Sequence, residues 1–149
     1  MFHLLSAGVA LASGSFVLLS TKGTRLHKKI GYAYAVAMIA VNVTAFCIYR
    51  LFDGFGPFHV AAIISLLTLV AGMIPVILRR PTKWFDLHFA FMYYSVIGLY
   101  AAFVSEALVR IPGTHFGSMV GFATCIVMFM GMGFFQWQRK KWLQRYKPE

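Results

Sequence analysis

Residues 87–110 read LHFAFMYYSVIGLYAAFVSEALVR, a run apolar enough for hydrocarbon that still carries His88 near one end and Glu106 and Arg110 near the other. The step from His88 to Glu106 is about five turns of α-helix at about 3.6 residues per turn, so one helix holds both on one face. At about 1.5 Å per residue they stand roughly 27 Å apart, close to the roughly 30 Å hydrocarbon thickness of a bilayer. The segment reads as a transmembrane helix with a titratable group at each boundary.

Four similar runs surround it: Phe2 to Ser20, Ile30 to Phe52, Pro57 to Leu78 and Phe116 to Phe135, with Leu87 to Leu108 fourth in chain order. Each has about the length a helix needs to cross a bilayer. The connections are short and broken by Gly or Pro: TKGTRLHKK, DGFG, RRPTKWFD and VRIPGT. With 60% hydrophobic and 12% charged residues and a mean hydropathy of +0.73, the chain carries more apolar surface than one soluble core can hide. The expected fold is all-α: a single integral membrane domain over residues 1–149, a polytopic bundle of five transmembrane helices.

The formal charge is +10, and its placement reads as a topology signal. Lys22, Arg25, Lys28 and Lys29 occupy the first connection, Arg79, Arg80 and Lys83 the third, and Arg139, Lys140, Lys141, Arg145 and Lys147 the tail. Only Arg50 and Arg110 fall on the alternate side. The positive-inside rule places the N-terminus outside and the C-terminus in the cytoplasm. Attraction to anionic lipid accounts for the basic side, and no nucleic-acid partner is implied. The first run lacks a basic segment ahead of it and reads as a retained helix, not a cleaved signal.

Smaller features refine this picture. Ser6, Ala10 and Gly14 in the first span, and Gly117 and Gly121 in the fifth, have the spacing that lets helices approach closely within the monomer. Trp84, Phe85, Trp137 and Trp142 fall at the cytoplasmic interface, and Phe52, Phe55 and Phe58 at the outer one. Pro75 loosens the third span. Asn42, deep in the second, needs a partner on another helix. Cys47 and Cys125 have no motif partner and read as buried apolar thiols without a disulfide.

The histidines divide by side. His27 and His88 stand at the cytoplasmic starts of the second and fourth spans. His59 and His115 stand at the outer starts of the third and fifth, and His3 lies at the outer end of the first, with Asp53, Glu106 and Arg110 on the same side. Two functional readings follow. In one, His27 with His88, and His59 with His115, are paired ligands of haem b, and Gly31 and Gly98 hint at room for it. This order of ligand-bearing helices resembles the ascorbate-dependent transmembrane cytochromes b. In the other, His59, His115 and Glu106, with His3, hold a divalent transition metal, a donor set suited to zinc, copper or iron. Against both stands the reading of the histidines as interfacial residues. Glu106 and Arg110, at i and i+4, are placed to form an ion pair. Glu106 is otherwise a proton-handling group.

The stretches GTRLHKKIGYAYAVAMIAVN and LHFAFMYYSVIGLYAAFVSEALVRIP resemble a widespread bacterial family of multipass membrane proteins whose domain has no assigned function. The resemblance rests on His27, Gly31 and Tyr32, and on His88, Met92, Tyr94, Gly98, Glu106 and Arg110. It implies that His27 and His88 belong together. The functional expectation is a histidine-based cofactor protein for transmembrane redox chemistry. The competing expectation is a non-catalytic accessory or assembly subunit of a larger membrane complex.

Overall fold

The computed structural model describes residues 1–48, 54–78, 83–113 and 115–146. Five helices follow in order: α1 (Phe2–Leu19), α2 (Arg25–Ala45), α3 (Pro57–Leu78), α4 (Trp84–Leu108) and α5 (Phe116–Tyr146). Arg50, Phe52, Asp53, Arg79, Arg80 and Lys147, which the sequence placed in loops, span ends or the tail, lie outside the described residues.

Helix α3 runs between the two expected ends, and Pro75 sits inside it. The other boundaries show where apolarity and helicity part company. Helix α2 starts at Arg25, ahead of the apolar run, because Thr24 caps it: its hydroxyl accepts the N–H of His27 at 3.1 Å. Gly23 just before it has φ +81, a left-handed conformation that turns the chain tightly out of α1. Helix α5 continues past Phe135 through the basic segment to Tyr146. No Gly or Pro interrupts it there, and Trp142 seats its ring against Phe89 and Phe135. Among the described residues, α1, α3, α4 and α5 are long and apolar enough to cross a membrane. Helix α2 differs because Arg25, Lys28 and Lys29 fall within its first turns and Asn42 within its body.

The helices alternate in direction. His3 meets Thr44 where α1 begins and α2 ends, and Ser20 meets His27 at the opposite end. Contacts link α1 to α2, α2 to α3, α3 to α4, and α4 back to α1, closing a four-helix ring; α5 packs on α4 outside it. The core of the ring holds Ala10, Tyr34, Met38, Leu69, Met92, Val96 and Leu99. The small-residue spacing in α1 has the expected use: a Cβ added at Gly14 would come within 2.9 Å of the Tyr34 ring. In α5 it does not. Gly117 and Gly121 face open space, and Gly131 makes the close approach instead, against Ile97.

Polar groups inside the bundle find partners across it. Tyr34 and Ser95 pair at 2.9 Å between α2 and α4, Ser15 and Tyr100 pair between α1 and α4, and Ser105 and Thr124 meet at 3.1 Å between α4 and α5. Asn42 donates to the Met38 carbonyl at 2.8 Å and reaches Ser65 of α3 at 3.4 Å. Such bonds contribute about 0.6 kcal/mol each on average in lipid. They register the helices more than they stabilise them.

The outer surface is apolar. Val36 is 68% exposed, Phe122 63% and Phe129 74%, which in water would be a severe liability and in a bilayer is the lipid contact. Cys47 and Cys125 are free but exposed, not buried as expected. A thiol is apolar enough to face acyl chains, so burial in protein is not required of it.

Candidate functional site: an imidazole-lined cavity at the basic end

The end of the bundle where α1 meets α2 and α3 meets α4 contains a cavity of about 430 Å³. His27 and His88 both line it, from helices that lie diagonally across the ring. Its walls are mostly apolar and aromatic, including Val17, Met73, Trp84, Phe89 and Met92, with Lys22 and Lys28 also at its edge. The volume is within the range of about 300–1,000 Å³ typical of small-molecule sites.

The local chain explains how each imidazole is set. Lys22 folds back on the end of α1, donating to the carbonyls of Val17, Leu18 and Ser20 at 2.7, 2.7 and 3.0 Å. These are carbonyls that a helix end leaves without an intrahelical partner, and a cation there also suits the helix dipole. Burial lowers the Lys22 ammonium to about 8. His27 lies three residues after the cap of α2. Lys22 and Lys28 stand beside it at the rim of the cavity. The His27 Nδ1 lies 3.4 Å from the Ser20 hydroxyl, which itself donates to the Val17 carbonyl.

His88 is held more firmly. Its Nδ1 is 2.7 Å from the carbonyl oxygen of Gly72. A carbonyl can only accept, so Nδ1 carries the proton and the neutral ring keeps its lone pair on Nε2. Imidazoles that bind metals are oriented by this kind of bond from the other ring nitrogen to a backbone carbonyl. Gly72 has a second part in the arrangement. A Cβ there would stand 2.8 Å from the Met92 sulfur and 3.3 Å from the Met92 backbone nitrogen. Its bare Cα lets α3 and α4 meet closely enough for the His88 bond. Gly31, one turn after His27, also lines the cavity, and a Cβ there would meet nothing within 4 Å.

The remaining candidates fall elsewhere. His3 Nδ1 pairs with the Thr44 hydroxyl at 2.8 Å. His59 is buried between Phe46 and Phe55, and its Nδ1 accepts the Gly56 N–H at 3.1 Å. His115 is exposed just before α5, although its neighbour Phe116 touches Phe58. Glu106 and Arg110 form the expected i,i+4 ion pair at 2.7 Å, well exposed. These contacts do not join His59, His115, Glu106 and His3, the expected metal set, to one another. Among the described residues no three His, Cys, Asp or Glu side chains gather to hold a metal ion. Glu106 is exposed to the outside of the bundle. Ser105 takes the buried position at that end of α4 and bonds to α5.

Gly72, Met73 and Lys22 were not expected at the site from the sequence, where Lys22 counted only as a topology charge. For Lys22 a signal existed, a lysine just beyond an apolar run where helix carbonyls end. For Gly72 and Met73 the site depends on the register between α3 and α4, which no local pattern reports.

Fold and site together define an all-helical membrane protein whose basic end encloses a cavity lined by two imidazoles. The chain belongs to the family described as Predicted membrane protein (DUF2306), whose model matches residues 1–136. That match is wider than the resemblance read from the second to fourth spans, and takes in α1 and most of α5. No curated protein and no solved structure matched the chain. The family match says only that the chain is a predicted membrane protein, and the chemistry has to be read from the site.

Proposed function

We propose that the protein is a five-span redox protein of the bacterial inner membrane, N-terminus outside and C-terminus cytoplasmic, that holds haem b between His27 and His88. The observation carrying this reading is the cavity itself, lined by two imidazoles from opposite helices, one with its tautomer set by Gly72 so that Nε2 is free to ligate. Its apolar, aromatic walls suit a flat macrocycle. The cations at its edge suit acidic substituents, and Gly31 leaves space beside His27. A lone metal ion would need far less room. Haem would supply one-electron chemistry; the protein's part is to orient the ligands and exclude water. The outer pair, His59 and His115, is not part of the proposal, because His59 is enclosed by aromatic rings and His115 is exposed.

An absorption spectrum of the detergent-purified protein from haem-replete cells, before and after dithionite, tests this. The expected result is a Soret band, with α and β bands that sharpen on reduction. A featureless spectrum with one bound transition metal per chain would replace haem by an ion at the same two imidazoles. A colourless, metal-free protein would overturn the cofactor reading and leave an accessory subunit of a larger complex, to be sought by co-purification in mild detergent. For topology, a fluorescent reporter that matures only in the cytoplasm is expected to light up when fused to the C-terminus. A dark fusion with normal expression would reverse the orientation.

A further inference from the structure

Helices α1 and α5 both pack on α4, yet among the described residues they do not pack on each other. The gap between them at the basic end is a second cavity of about 390 Å³, floored by Phe89, Tyr93 and Ile97 of α4. Leu18 and Leu19 of α1 form one side, and Phe134 and Trp142 of α5 the other. Leu18, Phe89 and Tyr93 also line the imidazole cavity, so the two share a wall. That wall is fixed by packing. Trp142 meets the rings of Phe89, Tyr93 and Phe134 at centroid distances of 5.6, 5.9 and 5.6 Å, and the Tyr93 hydroxyl donates to the Gly131 carbonyl at 2.9 Å. These are ring contacts for Trp142. Its indole N–H, a donor only, has no acceptor among the described residues.

We propose that this cleft binds a quinone of the membrane pool, its ring against Phe89, Tyr93 and Trp142 and its tail in the groove between α1 and α5. The aromatic walls match a flat ring, which stacks offset or edge-on against them. The indole N–H matches a ring carbonyl, which can only accept. The occupant is uncharged, because the two cations that also line the cleft, Lys22 and Arg145, are engaged elsewhere. Gly8 and Ala12 follow on the same face of α1 as Leu19, about three and two turns away. Both are exposed, and a Cβ at Gly8 would meet nothing within 4 Å, so the groove stays open for a long apolar tail. Among molecules that diffuse in hydrocarbon, quinones are the class that carries electrons, and the shared wall sets such a ring beside the imidazole cavity. The purpose of the site rests on the haem reading of that cavity; its occupancy does not.

The test uses the full chain purified in mild detergent and titrated with decylubiquinone, read by tryptophan quenching and by native mass spectrometry. Expected is one quinone per chain, with the quenching mostly lost in Trp142→Phe. Trp142→Phe, which keeps a ring without the N–H, and the cleft-filling Leu19→Trp are each expected to weaken binding about tenfold. Leu19→Trp should keep its Soret band. Gly31→Phe, which fills the imidazole cavity instead, should lose the band and bind decylubiquinone as wild type does. Equal weakening in Gly31→Phe would put the quinone in the first cavity and overturn the proposal. So would unchanged binding in both cleft variants, equal binding of n-decanol, which has the tail without the ring, or a retained phospholipid that decylubiquinone does not displace. A colourless wild-type protein that still binds decylubiquinone at Trp142 would uphold the site and remove the haem reading.

Discussion

His88→Ala is expected to insert into the membrane at the wild-type level and to purify without its Soret band. The imidazole is half-buried, and its structural contribution is one hydrogen bond to the Gly72 carbonyl at 2.7 Å. Losing such a bond costs about 1 kcal/mol. That is small beside the packing of α4 against three helices, so the fold should persist. Losing a ligand is a larger matter. Even removing a residue that only orients a ligand typically costs about 10–100-fold in affinity, and removing the ligand itself should exceed that. His27→Ala is expected to give the same colourless protein, because both imidazoles would hold the same group. His88→Asn separates the roles. Its amide nitrogen takes the place of Nδ1 and can still donate to Gly72, yet it supplies no imidazole, so the band should be lost while the melting temperature stays near wild type. A band that survives His88→Ala, or that is lost only with His27, would sink the paired-ligand geometry.

Much of this arrangement could be read from the sequence, and the parts that could not share one cause. Helix α3 was bounded correctly because Pro57 opens it and Pro81 follows closely after it, and both are signals about backbone. The starts of α2 and α4 and the end of α5 were misjudged because apolarity marks contact with hydrocarbon, whereas a helix runs on into the basic interface for as long as caps and side-chain packing allow. Helix α2, expected to reach Phe52, ends at Ala45 instead. The pairing of His27 with His88 was legible, since alternating helices bring both to the basic end whatever the details of packing. The Glu106–Arg110 pair was legible because it lies within one helix. The outer set was less legible. It draws on four helices, α1, α3, α4 and the start of α5, and local contacts made with Thr44, Gly56 and the rings of Phe46 and Phe55 hold His3 and His59. The register between helices lies in shape complementarity at places such as Gly14 against Tyr34 and Gly131 against Ile97, where the sequence shows only a glycine.

Gly72 is the position where that invisible register reaches the site, and Gly72→Val should therefore damage both stability and cofactor binding. The first added carbon would lie 2.8 Å from the Met92 sulfur, 3.1 Å from its Cγ and 3.3 Å from its backbone nitrogen. A flexible thioether can swing aside. The backbone nitrogen cannot, and the branched methyls of valine enlarge the conflict. Overpacking of this kind costs about 1–3 kcal/mol, and the simplest relief is for α3 and α4 to separate. Separation lengthens the bond from His88 to the Gly72 carbonyl and frees the ring to turn, so occupancy should fall by about 10–100-fold, as when an orienting partner is removed. Gly72→Ala is expected to fall between the two, and adding Met92→Ala to it should restore part of the binding by vacating the space taken by the sulfur. Gly98→Ala is the control, since a Cβ at Gly98 meets nothing within 4 Å, and it should bind as wild type does. Titrating haem into each purified apoprotein reads the effect directly. If Gly98→Ala weakened binding as much as Gly72→Val, glycine would be acting through helix flexibility and not through the contact with Met92. If Gly72→Val bound haem normally, the carbonyl at position 72 would have no part in orienting His88.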